Sequence, residues 1–245
     1  MAIFSMSRDA IEKYRGERRH DSFAHSTLKL IHRCASEKNM IFNLSKLSSR
    51  LGFHQRRFYD VINVLNTIGY CTKLDSSRLQ WNGVSNVKAT ISKLITNYHL
   101  LDKHSSIESI LPCDGTVSIS RITESFLMLF IYLGSQSLDI KETSMLLAMH
   151  SGRSKTTLCK LYQIAQILEV AGVLSRTTQI SEIKMNDPFF IKIQVNDEDP
   201  KDPLNLPFLL NRPVQNLPQH PLNLRRMEFG KCILNIKSVD SPIKH

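Results

Sequence analysis

Long apolar runs are missing from this chain: the longest, residues 126–133, is far too short to span a bilayer. Charge begins at Arg8, so no secretory apolar segment is expected at the N-terminus. Cysteine is sparse and scattered, with five residues at 34, 71, 113, 159 and 232, no CxxC and no paired histidine. That pattern argues against a disulfide framework or a zinc site and suits a reducing compartment. The nine histidines show no HxH or HExxH spacing, and no Ser/His/Asp set or carboxylate pair stands out. The stretch Ser151-Gly152-Arg153-Ser154-Lys155-Thr156 lacks the glycine spacing of a phosphate loop. No enzyme, cofactor, metal or membrane function is therefore expected.

Basic charge is what the chain has in excess, a formal +10 over 245 residues. Residues 1–85 hold most of it, with 14 Lys and Arg against 7 Asp and Glu. A basic domain suits a polyanion, because neutralising phosphates releases condensed counterions. Hydrophobic residues make up 42%, enough for real cores.

The pattern along the chain divides it into segments. Residues 1–21 form a polar arm with Arg18 and Arg19 among its basic residues. Phe23, Leu28, Ile31 and Cys34 predict a first helix, residues 40–44 a short β-like piece, and Leu44, Leu47 and Leu51 a second helix closed by Gly52. In residues 55–69, Phe58, Val61, Ile62, Leu65 and Ile68 make an apolar stripe, with Arg56, Asp60, Asn63 and Thr67 opposite. Gly69 is the stop signal. Residues 70–74 and 78–81 then read as a hairpin about the turn Asp75-Ser76-Ser77. Three helices and a hairpin predict a winged helix-turn-helix.

A shift of 103 residues lays Leu161-Tyr162 on Phe58-Tyr59, Ile164 on Val61, Leu168 on Leu65 and Gly172 on Gly69. Helices at 122–133 and 142–150 and a strand at 138–140 precede it, and strands at 173–178 and 188–195 follow. The fold expected is mainly α with small β wings (α+β), as two tandem winged helix-turn-helix domains. The boundaries are an arm at 1–21, domain 1 at 22–85, and a linker with a short helix at 86–117. A degenerate domain 2 at 118–196 and a Pro-rich extended tail at 197–245 complete the chain. Residues 204–210 of that tail are a candidate docking segment.

In a winged helix the third helix enters the major groove and its N-terminal residues meet base edges. Arg56 and Arg57 sit there, and the arginine fork suits guanine O6 and N7. Asp60, one turn beyond Arg56, is placed to salt-bridge it, and Tyr59 to reach a phosphate or pack at the helix base. The bland alternative is a solvated helix face with an i,i+4 ion pair.

The run Arg56-Arg57-Phe58-Tyr59-Asp60-Val61, then Asn63-Val64-Leu65, then Gln80-Trp81-Asn82-Gly83, resembles the E-two-factor/DP family of cell-cycle transcription factors. Two copies in one chain resemble its atypical subgroup, whose tandem domains imitate a heterodimer and need no DP partner. The resemblance implies a nuclear protein that binds double-stranded DNA and represses transcription, with Arg56 and Arg57 reading the guanines of a TTTCCCGC-like site. Charge and position add Arg18 and Arg19 at the flanking minor groove, and Lys73 and Arg78 on wing phosphates. The second copy departs from the motif, with Cys159-Lys160 for Arg56-Arg57 and Gln163 for Asp60. Lysine cannot reproduce the bidentate fork. Arg153, Lys155 and Lys160 are expected to hold phosphates, while domain 2 acts as a pseudo-dimer partner. The rival expectation is a scaffold subunit that uses its winged helices, or its tail, to bind other proteins.

Overall fold

The computed structural model describes residues 22–37, 40–102, 105–112, 117–192 and 221–239. The first unit runs α1 (Ser22–Ser36), β1 (Ile41–Asn43), α2 (Leu44–Leu51), α3 (Gln55–Thr67), β2 (Cys71–Lys73) and β3 (Arg78–Trp81). Its predicted stripe is the core: Phe58, Val61, Ile62, Leu65 and Ile68 are all buried. The expected β-like piece becomes a strand because it pairs with β3, placing Phe42 opposite Leu79 in a sheet of order β1-β3-β2. Asn43 starts α2 by accepting a hydrogen bond from the Lys46 amide at 3.0 Å, which satisfies one orphan donor of the first turn.

Residues 119–185 repeat that order. Here α5 (Ile119–Tyr132), β4 (Ser137–Asp139), α6 (Ile140–Leu147), α7 (Ser154–Val170), β5 (Leu174–Arg176) and β6 (Glu182–Met185) form a second unit. Its sheet has the matching order β4-β6-β5. Individual bonds repeat as well. Asp139 caps α6 by accepting from the Glu142 amide at 2.8 Å, as Asn43 caps α2. The Ile140 amide donates to the Ser181 carbonyl as Leu44 donates to Ser77, both at 2.8 Å. Thr27 and Thr123 each turn a buried hydroxyl back to the carbonyl four residues earlier.

The strand expected at 188–195 forms earlier, at Glu182–Met185. Alternation decides it: Ile183 and Met185 are buried between the more exposed Glu182 and Lys184. Asp187 and Pro188 then turn the chain so that Phe189 is buried.

Between the units, α4 (Val87–Asn97) buries Val87, Ile91 and Ile95 and packs on α5. Helix α5 is apolar nearly all round because α3, α4, α6 and α7 surround it. The units meet reciprocally: α1 packs on α7, its counterpart α5 packs on α3, and α3 meets α7. Contacts that each have their reverse are the pattern of a two-fold interface.

The tail is not wholly extended. Pro221–Val239 forms a helix, α8, docked on the second unit beside α6. Arg225, 3% exposed, anchors it. Its Nη2 donates to the Leu100 and Asp102 carbonyls at 3.1 and 2.9 Å and to the Ser105 hydroxyl at 3.2 Å, and its guanidinium lies 4.5 Å over the Tyr132 ring. Arg226 donates to the Leu133 and Gly134 carbonyls at the end of α5, where helix carbonyls lack intrahelical donors. The candidate docking segment at 204–210 lies outside the described residues.

Gly69 and Gly172 both close their helices at φ +76. Their surroundings differ. A Cβ on Gly69 would meet Thr90 Oγ1 at 2.0 Å, whereas one on Gly172 meets nothing within 4 Å. Ala at either position costs about 1–2 kcal/mol for the left-handed conformation, and at Gly69 the clash with α4 adds to it. Urea melts are expected to show Gly69→Ala as the more damaging change; equal midpoints for the two variants would contradict this packing.

Alkali is expected to loosen the fold. Burial pushes the Tyr70 and Tyr98 hydroxyls up to about 12 from 10.0, and the Cys34 thiol up to about 12 from 9.0. For Tyr98 the neighbouring Glu124 adds to the effect, and for Cys34 Glu37 does. These acids hold their protons longer folded than unfolded, so their stabilising contribution is complete below pH 9. It is lost as pH rises from 9 for the thiol and 10 for the phenols towards 12, at about 1.4 kcal/mol per pH unit and group. Melting temperature in reductant should be level from pH 7 to 9 and fall beyond; a level curve to pH 11 would show these groups to be accessible to water.

Candidate nucleic-acid interface

Helix α2 and the turn at Gly52 present the N-terminus of α3 outward. Gly52 is left-handed at φ 66 and His54 is extended, so the chain reverses within three residues before α3 starts. Gln55, Arg56 and Arg57 are exposed in the first turn. The Arg57 guanidinium lies 5.8 Å over the ring of Phe23 on α1, a contact that orients the fork.

Asp60 does not serve Arg56 as expected. Its Oδ2 accepts a hydrogen bond from Gln163 Nε2 on α7 at 3.0 Å. The two residues stand 103 apart, so equivalent positions of the two units touch each other. The polar stripe assigned to solvent is half-buried at Asp60, Asn63 and Thr67: the second unit meets it at Asp60 and the wing covers Asn63.

Tyr59 is half-buried, with the Lys73 ammonium 5.9 Å from its ring centroid. Lys73 Nζ donates to Asn63 Oδ1 at 2.5 Å, and the Lys73 amide to Asn66 Oδ1 at 2.9 Å, tying the wing to α3. Its partner is an amide oxygen and not a carboxylate, so its full charge stands beside the reading helix. Arg78 differs. Its Nε meets Asp75 Oδ2 at 2.6 Å. The Arg78 guanidinium, with bonds from Ser77 and the turn amides, holds the Asp75 carboxyl well below the usual carboxylate range. Arg78 thus staples the wing turn.

In the second unit, Arg153 and Lys155 are exposed at the start of α7, as is Cys159. Lys160 is half-buried and donates its ammonium to the Val117 carbonyl. Arg18 and Arg19 lie outside the described residues. Among the described residues no group of three or more His, Cys, Asp or Glu is placed to hold a metal ion.

The structure brings further residues together beside the arginine pair. A cleft of about 600 Å³ opens between the units beside Arg57, with Phe23, Phe53 and His54 on one side and Tyr162, Gln166 and Arg176 on the other. Arg176 on β5 is held by Glu169 at 2.9 Å. The repeat offers the one sequence signal: Tyr162 and Arg176 stand 103 residues after Tyr59 and Lys73.

An exposed arginine pair on the third helix, a three-stranded wing and a basic flank are the geometry of a DNA-reading module. Residues 19–83 match the winged-helix DNA-binding domain of the E-two-factor/DP family. Among curated relatives, the E-two-factor-like transcription factor E2FD of Arabidopsis thaliana is 33% identical over 54 residues, covering 22% of this chain and 15% of that protein. Transcription factor E2F7 of Xenopus tropicalis is 23% identical over 186 residues, covering 58% of this chain and 22% of that protein. The chain therefore matches less than a quarter of either relative's length. Residues 19–83, which take in the first unit, are thus similar to a DNA-binding module of a transcription factor family and not of an enzyme family. These matches support a DNA-binding transcription regulator.

Proposed function

We propose that this chain is a nuclear transcription repressor that binds duplex DNA sequence-specifically as two tandem winged helices. Domain 1, residues 22–85, reads a GC-core site through Arg56 and Arg57 on α3. Lys73 and Tyr59 contact backbone phosphates beside it, and Arg18 and Arg19 reach the flanking minor groove. Domain 2, residues 118–196, is a degenerate copy that stands in for a dimer partner and adds phosphate contacts through Arg153 and Lys155.

The observation that carries this reading is the hydrogen bond between Asp60 and Gln163, equivalent positions of the two units in contact within one chain. A two-fold interface closed internally leaves the faces of α1 and α3 engaged, so a DP-type partner is not required. The E2F7 match supports kinship of the second unit, since 58% of the chain extends well past residues 19–83. The exposed Arg56 and Arg57 supply the guanine-reading forks.

The test is the mass of the DNA complex. Light scattering on the purified chain with a TTTCCCGC-type duplex should give one chain per duplex with no second protein added. Two chains per duplex at saturation, or complex formation only with a DP-type protein present, would overturn the single-chain pseudo-dimer.

A further inference from the structure

The repeat points to Cys159 and Lys160 as the second unit's reading positions, and neither suits that task. Cys159 is short, and Lys160 donates to the Val117 carbonyl. The next turn of α7 is placed differently. Tyr162 is 41% exposed and, with Gln166, lines the cleft that Arg57 also lines. Its counterpart Tyr59 is half-buried under Lys73, so the two sides of the pseudo-two-fold are not alike.

We propose that Tyr162 and Gln166 form, with Arg57, one composite base-reading surface, so that the second unit reads DNA from within the inter-unit cleft. This inference rests on the DNA-binding reading above. The Asp60–Gln163 bond fixes α3 and α7 at the cleft, so its two walls are preorganised relative to each other. Arg57 and Arg176 line the cleft, Arg176 paired with Glu169 at 2.9 Å, and such guanidinium groups suit the negative potential of a duplex. Because Arg57 lines the same cleft as Tyr162 and Gln166, a guanine bound at Arg57 would bring its neighbouring base pair towards them. A glutamine amide matches adenine N6 and N7, and a tyrosine ring offers an apolar edge to a thymine methyl and a hydroxyl to an acceptor. Arg176, oriented by Glu169, closes the far side as a phosphate contact.

The experiment is a panel of duplexes, each differing from the preferred site at one base pair. Binding of the full chain is compared with Arg57→Ala and with Tyr162→Ala/Gln166→Ala. Alanine suits these helical positions, and Gln166→Ala alone provides a second, milder variant. Expected is a loss of about 5- to 100-fold in discrimination at one or two base pairs adjoining those sensitive to Arg57→Ala. Affinity for a scrambled duplex should stay within about twofold, and Gln166→Ala should show part of the loss at the same place. A discrimination profile identical to the wild type, or equal weakening on every duplex, would overturn the composite surface. If the wild type itself distinguishes no base pair, the DNA-reading function fails first, an outcome separable from the failure of Tyr162 and Gln166 alone.

Discussion

Replacing Arg56 and Arg57 together by alanine is expected to abolish specific DNA binding and leave the fold intact. Both side chains are exposed in the first turn of α3, and Asp60, the carboxylate closest in sequence, is engaged by Gln163. Little folding stability therefore depends on them, as for most surface positions. Each bidentate guanine contact is worth about 1–3 kcal/mol of discrimination. Losing two should lower the specific-to-nonspecific ratio by roughly 30- to 10⁴-fold. Arg56→Lys/Arg57→Lys separates charge from geometry. It should keep the salt dependence of binding while losing the discrimination, since an ammonium cannot present the fork. Titrations against specific and scrambled duplexes at two salt concentrations read both effects. A lysine variant that keeps full specificity would contradict guanine reading by this pair.

Arg225→Ala is expected to cost more stability than any surface change, about 2–3 kcal/mol, because buried carbonyls lose a charged donor. The substitution leaves the Leu100 carbonyl without its side-chain donor, removes one of the two donors to the Asp102 carbonyl and strips the Tyr132 ring of its cation. These acceptors lie where the linker passes from α4 towards the second unit, so the damage should spread along that junction. Arg226→Ala, at a more exposed position, should cost about 1 kcal/mol. Urea unfolding followed by circular dichroism would show the two midpoints well apart. Coincident midpoints would mean that α8 contributes nothing to the linker junction.

What the sequence revealed follows from the kinds of contact involved. The stripe of Phe58, Val61, Ile62, Leu65 and Ile68 was legible because one apolar face meets one core. The repeat was legible because glycine and apolar positions recur at fixed spacing through α3 and α7. Helix α8 was not, because its anchor is a guanidinium on carbonyl oxygens, and such a contact leaves no hydrophobic period. Its apolar residues, among them Leu224, Met227 and Leu234, point outward as well as in. β6 was misplaced because four residues carry too little alternation to outweigh the apolar Phe189-Phe190-Ile191 that follows. At the interface, Arg56 and Arg57 were legible as an exposed basic pair. The partners of Asp60 and Lys160 were not: a residue 103 positions away and a linker carbonyl are settled only by how the units pack.

This one chain is expected to distinguish a DNA sequence through its first domain. The most direct measurement is the ratio of dissociation constants for a TTTCCCGC-type duplex and a scrambled one, taken at near-physiological salt. Binding to the site should be tighter by about 10³ or more. Equal, salt-sensitive binding to both duplexes would reduce the protein to an electrostatic binder, and no binding to either would leave its winged helices as protein-contact modules.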